Sequence, residues 1–137
     1  MPVVDASVVA DWVAPVADPR GPARRRLERW ASADVRLYAP RLLAEEVANA
    51  LVTGCRRGRW SGAEADAAYV LLRDLPVTVA DTPADLDRAW ELSRRYDAHP
   101  VYDMVYVALA ERIGEQLVTA DDQLRVRLVG LDFVVAP

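Results

Sequence analysis

Short apolar runs alternate along this chain with longer stretches in which apolar residues recur every three or four positions. The runs read as strands: Pro2 to Asp5, Val35 to Ala39, Val77 to Ala80, Gln116 to Thr119 and Leu131 to Val135. The periodic stretches predict helices. One covers Ser7 to Ala14 and stops before Pro15; another covers Arg24 to Ala33, with Leu27 and Trp30 on one side. The longest spans Arg41 to Arg57, with Leu43, Val47, Ala50 and Leu51 as its apolar face and Gly58 as its stop. Ser61 followed by Glu64 fits a capping box, the Ser hydroxyl accepting from the backbone while Glu reaches back, so a helix to about Arg73 is expected. Thr82-Pro83 joins a cap to a proline at the first helical position. The helix that follows carries Leu86, Ala89, Trp90 and Tyr96. Tyr102 to Ile113, stopped by Gly114, and Asp122 to Val129 complete the set, while Val16 to Pro22 and Ala98-His99-Pro100 read as loops. Strands alternating with helices predict an α/β fold of three layers, α/β/α, around a central parallel sheet of five strands. No linker interrupts the pattern, so residues 1–137 are expected to form a single domain.

Composition narrows the picture. A chain of 137 residues with 53% hydrophobic content can bury a core without disulfides or a structural metal. Cys55 is the one cysteine, which suits a reducing, cytoplasmic setting, and it is expected as a small buried apolar residue. No stretch approaches the roughly 18 apolar residues of a membrane span, and no signal peptide is visible ahead of Asp5. The net charge of −4, from 17 basic and 21 acidic side chains, does not suit a general nucleic-acid coat. A local basic rim around an acidic centre remains compatible with it. Arg24, Arg25 and Arg26, and Arg56, Arg57 and Arg59, are two clusters that either steer RNA phosphates or sit on solvated faces. Every basic residue is arginine; there is no lysine.

Four carboxylates stand where a parallel sheet collects its chemistry. Asp5 ends the first strand, and open α/β sheets bind ligands at that edge. Glu46 lies three and four residues after Leu43 and Leu42, on the core-facing side of its helix, whereas Glu45 faces away. An ionised carboxylate there is costly unless it is paired or binds a metal. Asn49, one turn further on, is a candidate hydrogen-bond partner. Asp103 lies in the first turn of its helix and shares a stripe with Val107 and Ala110. Asp121 follows the fourth strand; either it or Asp122 caps the last helix, and Asp121 is the one assigned to the site. Ser7 either positions a ligand through its hydroxyl or caps the following helix, and Thr119 offers a hydroxyl to the acids or to a phosphate. Plainer roles exist for each acid: a turn residue for Asp5, an arginine partner for Glu46, a helix-dipole partner for Asp103 and a helix cap for Asp121. Four converging carboxylates repel one another unless a cation joins them, and a hard divalent ion with oxygen ligands answers that need. Such a centre suits metal-assisted chemistry on a phosphate. His99, a lone loop histidine, is read as a bystander, and Asp97 as a surface residue. The four tryptophans are expected in the core or at an interface, with Trp12 and Trp60 the interface pair.

At these residues the chain resembles the PIN-domain nucleases, and within them the VapC-type toxins of bacterial toxin–antitoxin pairs. Four segments carry the likeness: Val4-Asp5-Ala6-Ser7-Val8; Pro40 through Leu51 with Glu46-Val47-Ala48-Asn49; Tyr102-Asp103-Met104 through Ala110; and Leu117-Val118-Thr119-Ala120-Asp121. The resemblance places the family's acids on Asp5, Glu46, Asp103 and Asp121 and its hydroxyl positions on Ser7 and Thr119. It implies a Mg²⁺- or Mn²⁺-dependent endoribonuclease acting on single-stranded RNA. It also implies a homodimer and a small VapB-type antitoxin whose C-terminal segment blocks the site. Alternatives within the family are a stand-alone RNA-processing nuclease and a catalytically silent scaffold. Outside it, a phospho-acceptor receiver domain would need a lysine, and a dehalogenase-like phosphatase a second aspartate where Ser7 stands.

Overall fold

The computed structural model describes residues 1–137. In chain order its elements are β1 (Val3–Val4), α1 (Ala6–Val13), α2 (Pro22–Ser32), β2 (Leu37–Ala39), α3 (Leu42–Arg56), α4 (Gly62–Asp74), β3 (Val77–Val79), α5 (Pro83–Arg95), α6 (Val101–Ile113), β4 (Leu117–Val118), α7 (Asp122–Arg127) and β5 (Val134–Val135). The strands are shorter than the apolar runs that announce them, because the chain turns away at Asp5 and Pro40 soon after entering the sheet. All five pair in parallel, in the order β3-β2-β1-β4-β5. The chain builds outward from β1 through β2 to β3, then crosses back to add β4 and β5 on the other side. The order reverses between β1 and β4, which is where such sheets open a crevice.

Successive strand residues point to opposite faces. Val3, Val4, Leu117 and Val118 are all 0% exposed, so helices cover both faces, as the three-layer expectation requires. α1 packs against α2, α3 and α4; α5 packs along α6, and α6 lies on β1 and β4. Met104 to Ala110 are buried without a break, making α6 a helix with no solvent face over two turns. The capping box forms as expected: Glu64 N–H donates to Ser61 Oγ and Ser61 N–H to Glu64 Oε1, each at 3.1 Å. Thr82 N–H likewise donates to Asp85 Oδ2 at 2.8 Å.

Several expected faces are turned. The inward stripe of α5 is Asp85, Ala89, Leu92 and Ser93, while Leu86 and Trp90 are exposed. The reason is polar satisfaction. Asp85 is bound by Arg112, Nε donating to Oδ1 at 2.7 Å, and Ser93 donates to the His99 carbonyl, so both are held inside without penalty. Trp12 and Trp60, expected at an interface, are buried and hydrogen-bonded, their indole N–H groups donating to Ala23 O at 2.8 Å and Leu51 O at 2.9 Å. Trp12 also meets Trp30 edge-on at 6.0 Å. Trp90 is the exposed tryptophan. Ala50 is exposed, so the buried face of α3 is Leu43, Val47, Leu51 and Gly54. Gly54 is there because the Trp60 ring rests on its backbone: a Cβ would lie 1.9 Å from Trp60 Cζ2. Cys55 is half-buried rather than buried, its thiol 3.5 Å from Ser61 O.

Candidate active site

Asp5 leaves β1 at the crevice, its N–H continuing the ladder to Val118 O at 3.0 Å. It occupies the cap position of α1, yet its side chain does not cap that helix. The carboxylate instead crosses to β4. Its Oδ2 accepts from Ser7 Oγ at 2.5 Å and from Thr119 Oγ1 at 2.8 Å. No hydroxyl reaches its Oδ1, and the Ser7 backbone N–H also faces the carboxylate. Ser7 does not cap α1 either; its Oγ accepts from Ala120 N–H at 3.0 Å, and Thr119 Oγ1 accepts from Asp121 N–H at 3.1 Å. Two hydroxyls therefore tie the end of β1 to the turn after β4 through one Asp5 oxygen.

Glu46 reaches the same place from α3, and its Oε2 accepts from Tyr106 Oη on α6 at 2.6 Å. Asn49, the expected partner, is exposed and makes no bond to Glu46. Asp103, in the first turn of α6, meets His99, with Nε2 2.5 Å from Oδ2. His99 was expected to stand aside; the fold sets it on a catalytic candidate instead. Asp121 caps α7, Oδ1 accepting from Leu124 N–H at 3.0 Å, and so joins the others through Thr119 rather than by its own carboxylate. Asp122, by contrast, is solvent-facing.

The electrostatics identify which acids share a space. Burial pushes the Asp5 carboxyl above the ordinary carboxylate range; the Ser7 and Thr119 hydroxyls pull it back, and the charge of Asp103 adds to the rise. Burial likewise raises Glu46, Tyr106 opposes it, and Asp5 and Asp103 raise it further. Tyr106 is pushed up in turn, by burial first and then by the Glu46 charge. Asp5, Glu46 and Asp103 thus repel one another across one space. None of the 17 arginines pairs with any of them. Arg26 and Arg59 are occupied elsewhere, stacked on Trp30 and Trp60.

An acidic centre without a compensating arginine, offering carboxylates and hydroxyls alone, has the donor chemistry of a hard divalent ion. No three His, Cys, Asp or Glu side chains close on one point as a ready-made cage. A Mg²⁺ ion would keep several waters and need only one or two of these carboxylates directly.

The sequence reading gave Tyr106 no role and took His99 for a bystander. Each had a signal. Tyr106 is the one hydroxyl in the buried run Met104–Ala110, and a buried phenol finds a partner. His99 lies four residues before Asp103, at the spacing of one helical turn.

Comparison with known proteins identifies the family. A family model described as PIN domain matches residues 3–127. Ribonuclease VapC3 of Mycobacterium tuberculosis is 39% identical over 122 residues, covering 89% of this chain and 83% of that protein. Ribonuclease VapC3 of Pyrobaculum aerophilum is 35% identical over 127 residues, covering 89% and 90%. Among solved structures, Mycobacterium tuberculosis VapC20, described as a sarcin-ricin loop cleaving toxin, superposes with a TM-score of 0.69 at 22% identity, covering all of both chains. PAE2754 from Pyrobaculum aerophilum gives the same TM-score at 23% identity over 98% of this chain and 87% of that one. These last two are likenesses of fold. With the family model matching residues 3–127 and relatives at 35–39% identity matching over most of the length, this chain belongs to the PIN-domain family, on the side of its VapC ribonucleases.

Proposed function

We propose that this chain is a toxin endoribonuclease of the VapC type, dependent on Mg²⁺ or Mn²⁺, cutting phosphodiester bonds of single-stranded RNA. The observation that carries the reading is that Asp5 and Glu46, both withdrawn from solvent, are held only by the hydroxyls of Ser7, Thr119 and Tyr106, with no arginine on either. Asp5, through its Oδ1, and Asp103 would hold the ion, with Glu46 and Asp121 completing the shell. A bound divalent ion supplies charge stabilisation at the phosphoryl oxygens and lowers the pKa of a water. The chain's own groups do the rest. Ser7 and Thr119 fix Asp5 by its Oδ2. Tyr106 fixes Glu46 by its Oε2, so that Oε1 would accept the proton of the attacking water as it adds to phosphorus and the ester P–O bond breaks, the leaving oxygen taking its proton from solvent.

The RNA strand runs through the groove between the α5–α6 loop and α7, lined by Asp97, His99, Asp122, Gln123, Val126 and Arg127. This groove shares His99 with the acids and offers Gln123 and Arg127 as donors to base edges and phosphates. The groove at the far end of α6 is lined by Glu111, Glu115 and Asp132 and offers no arginine to a phosphate. A VapB-type antitoxin is the partner that silences the site. A homodimer would cover Leu86 and Trp90, one turn apart on α5 and exposed in the single chain. No helix is long and apolar enough to cross a membrane; the lone thiol of Cys55 fits a reducing cytoplasm.

The test is cleavage mapping on total cellular RNA with wild type and Asp5→Asn, in EDTA and after adding Mg²⁺ or Mn²⁺. Discrete cuts are expected from the wild type with metal alone. Equal cutting by Asp5→Asn, or by the wild type in EDTA, refutes the reading.

A further inference from the structure

We infer that His99 is a positioning residue of the active site: its imidazole locks the Asp103 carboxylate in the orientation in which that carboxylate meets the divalent ion. The inference rests on the reading of Asp103 as an ion ligand.

The contact itself is short and sheltered. His99 Nε2 lies 2.5 Å from Asp103 Oδ2, with the side chains 13% and 31% exposed. Against a carboxylate, which accepts, Nε2–H is the donor that this contact calls for. A lone aspartate in a helix's first turn, one-third exposed, would sample several rotamers. With Oδ2 taken by the imidazole, Asp103 has one orientation, and Oδ1 remains for the ion or its waters.

The loop is built to hold the ring there. Asp97 and Ala98 have φ of 54° and 55°, two consecutive non-glycine residues in the left-handed region. Such a conformation is strained for a residue with a Cβ and persists only where the surroundings over-determine the backbone. Those surroundings are present. His99 N–H donates to Tyr96 O at 3.1 Å, buried Ser93 donates its hydroxyl to His99 O, and Arg127 Nη1 on α7 donates to Tyr96 O at 3.3 Å. Pro100 then fixes the entry into α6. The backbone on both sides of His99 is thus clamped, so the imidazole is delivered to Asp103 as part of the fold. Hydrogen-bond partners that orient metal-ligating groups are typically worth about 10–100-fold in metal affinity or activity.

The experiment measures Mn²⁺ binding directly, from loss of the free-ion EPR signal, in wild type, His99→Ala, His99→Asn, His99→Gln, Asp103→Asn and the His99→Ala/Asp103→Asn double variant. Melting of each in EDTA accompanies it. His99→Ala should bind Mn²⁺ about 10–100-fold more weakly. His99→Asn, polar but too short to reach, should match it, and His99→Gln, whose amide N–H reaches further, should recover most of the loss. In the Asp103→Asn background His99→Ala should add almost nothing, because the effect passes through the carboxylate. RNA cleavage by His99→Ala should return at saturating Mn²⁺. Affinities of His99→Ala and His99→Asn within twofold of wild type overturn the assignment, as do multiplicative effects in the double variant. If wild type and Asp103→Asn bind Mn²⁺ equally, the premise about Asp103 fails and the inference falls with it.

Discussion

Replacing Tyr106 by Phe removes one hydroxyl and nothing else. The ring is 0% exposed and remains in place, so no cavity opens. What is lost is the 2.6 Å bond to Glu46 Oε2. Hydrogen bonds to charged groups contribute about 1.5–3 kcal/mol. Glu46 is half-buried and water can partly replace the phenol, which puts the loss of stability nearer 1–2 kcal/mol. For a chain of this length that lowers Tm by roughly 3–8 °C. The effect on chemistry should be larger than the effect on folding. Tyr106 is the group that opposes the burial-driven rise of the Glu46 pKa, so without it Glu46 rises further. A carboxylate that must be ionised to work is then protonated over more of the acid range. The acid limb of the pH–rate profile should move to higher pH, and kcat/KM at limiting Mg²⁺ should fall about 10–100-fold. Raising pH and Mg²⁺ together should recover much of it. The assay is cleavage of a fluorescent RNA oligonucleotide from pH 5 to 9 at several Mg²⁺ concentrations, beside a thermal melt. A Tyr106→Phe enzyme with kcat/KM within twofold of wild type and an unmoved acid limb would refute the role given to this pair.

Two other substitutions test the same physics from different sides. Asp5→Asn should cut cleavage roughly a thousandfold, the scale of losing several kcal/mol of charge stabilisation. Its metal-free form should nonetheless melt higher than wild type at pH 7. The folded Asp5 pKa lies above its ordinary value of 3.8, so between the two the folded state holds more protons than the unfolded state, and wild-type stability falls as pH rises through that window. The Asn variant escapes this, and its advantage should vanish below about pH 3.8; an Asp5→Asn melt in EDTA that is lower at pH 7 would contradict the argument. Gly54→Ala should destabilise by at least about 1–3 kcal/mol in urea titrations, despite a gain of up to about 1 kcal/mol in helix propensity, because its Cβ would collide with Trp60 at 1.9 Å. A stabilised Gly54→Ala would mean that Trp60 packs elsewhere.

What the sequence alone determined about this protein is whatever local rules govern. Helix starts at Ser61 and Thr82, the stop at Gly114, the strand-ending Asp5 and the first-turn Asp103 are each decided by a few neighbouring residues. The five strands and seven helices were accordingly legible, with ends displaced by a few residues. The tertiary structure alone decided the rest. Which strands flank β1 depends on how the chain crosses back, and that crossing joins Thr119 to Asp5 across 114 positions. Glu46 finds Tyr106 across 60 positions, where local reasoning offered nearby Asn49. Arg112 reaches Asp85 and turns α5, so Trp90 faces solvent and Trp12 and Trp60 do not. His99 becomes a partner of Asp103 through a left-handed loop that no propensity favours. In each case a buried or half-buried polar group had to be satisfied, and its partner was set by how the chain packs rather than by local propensity.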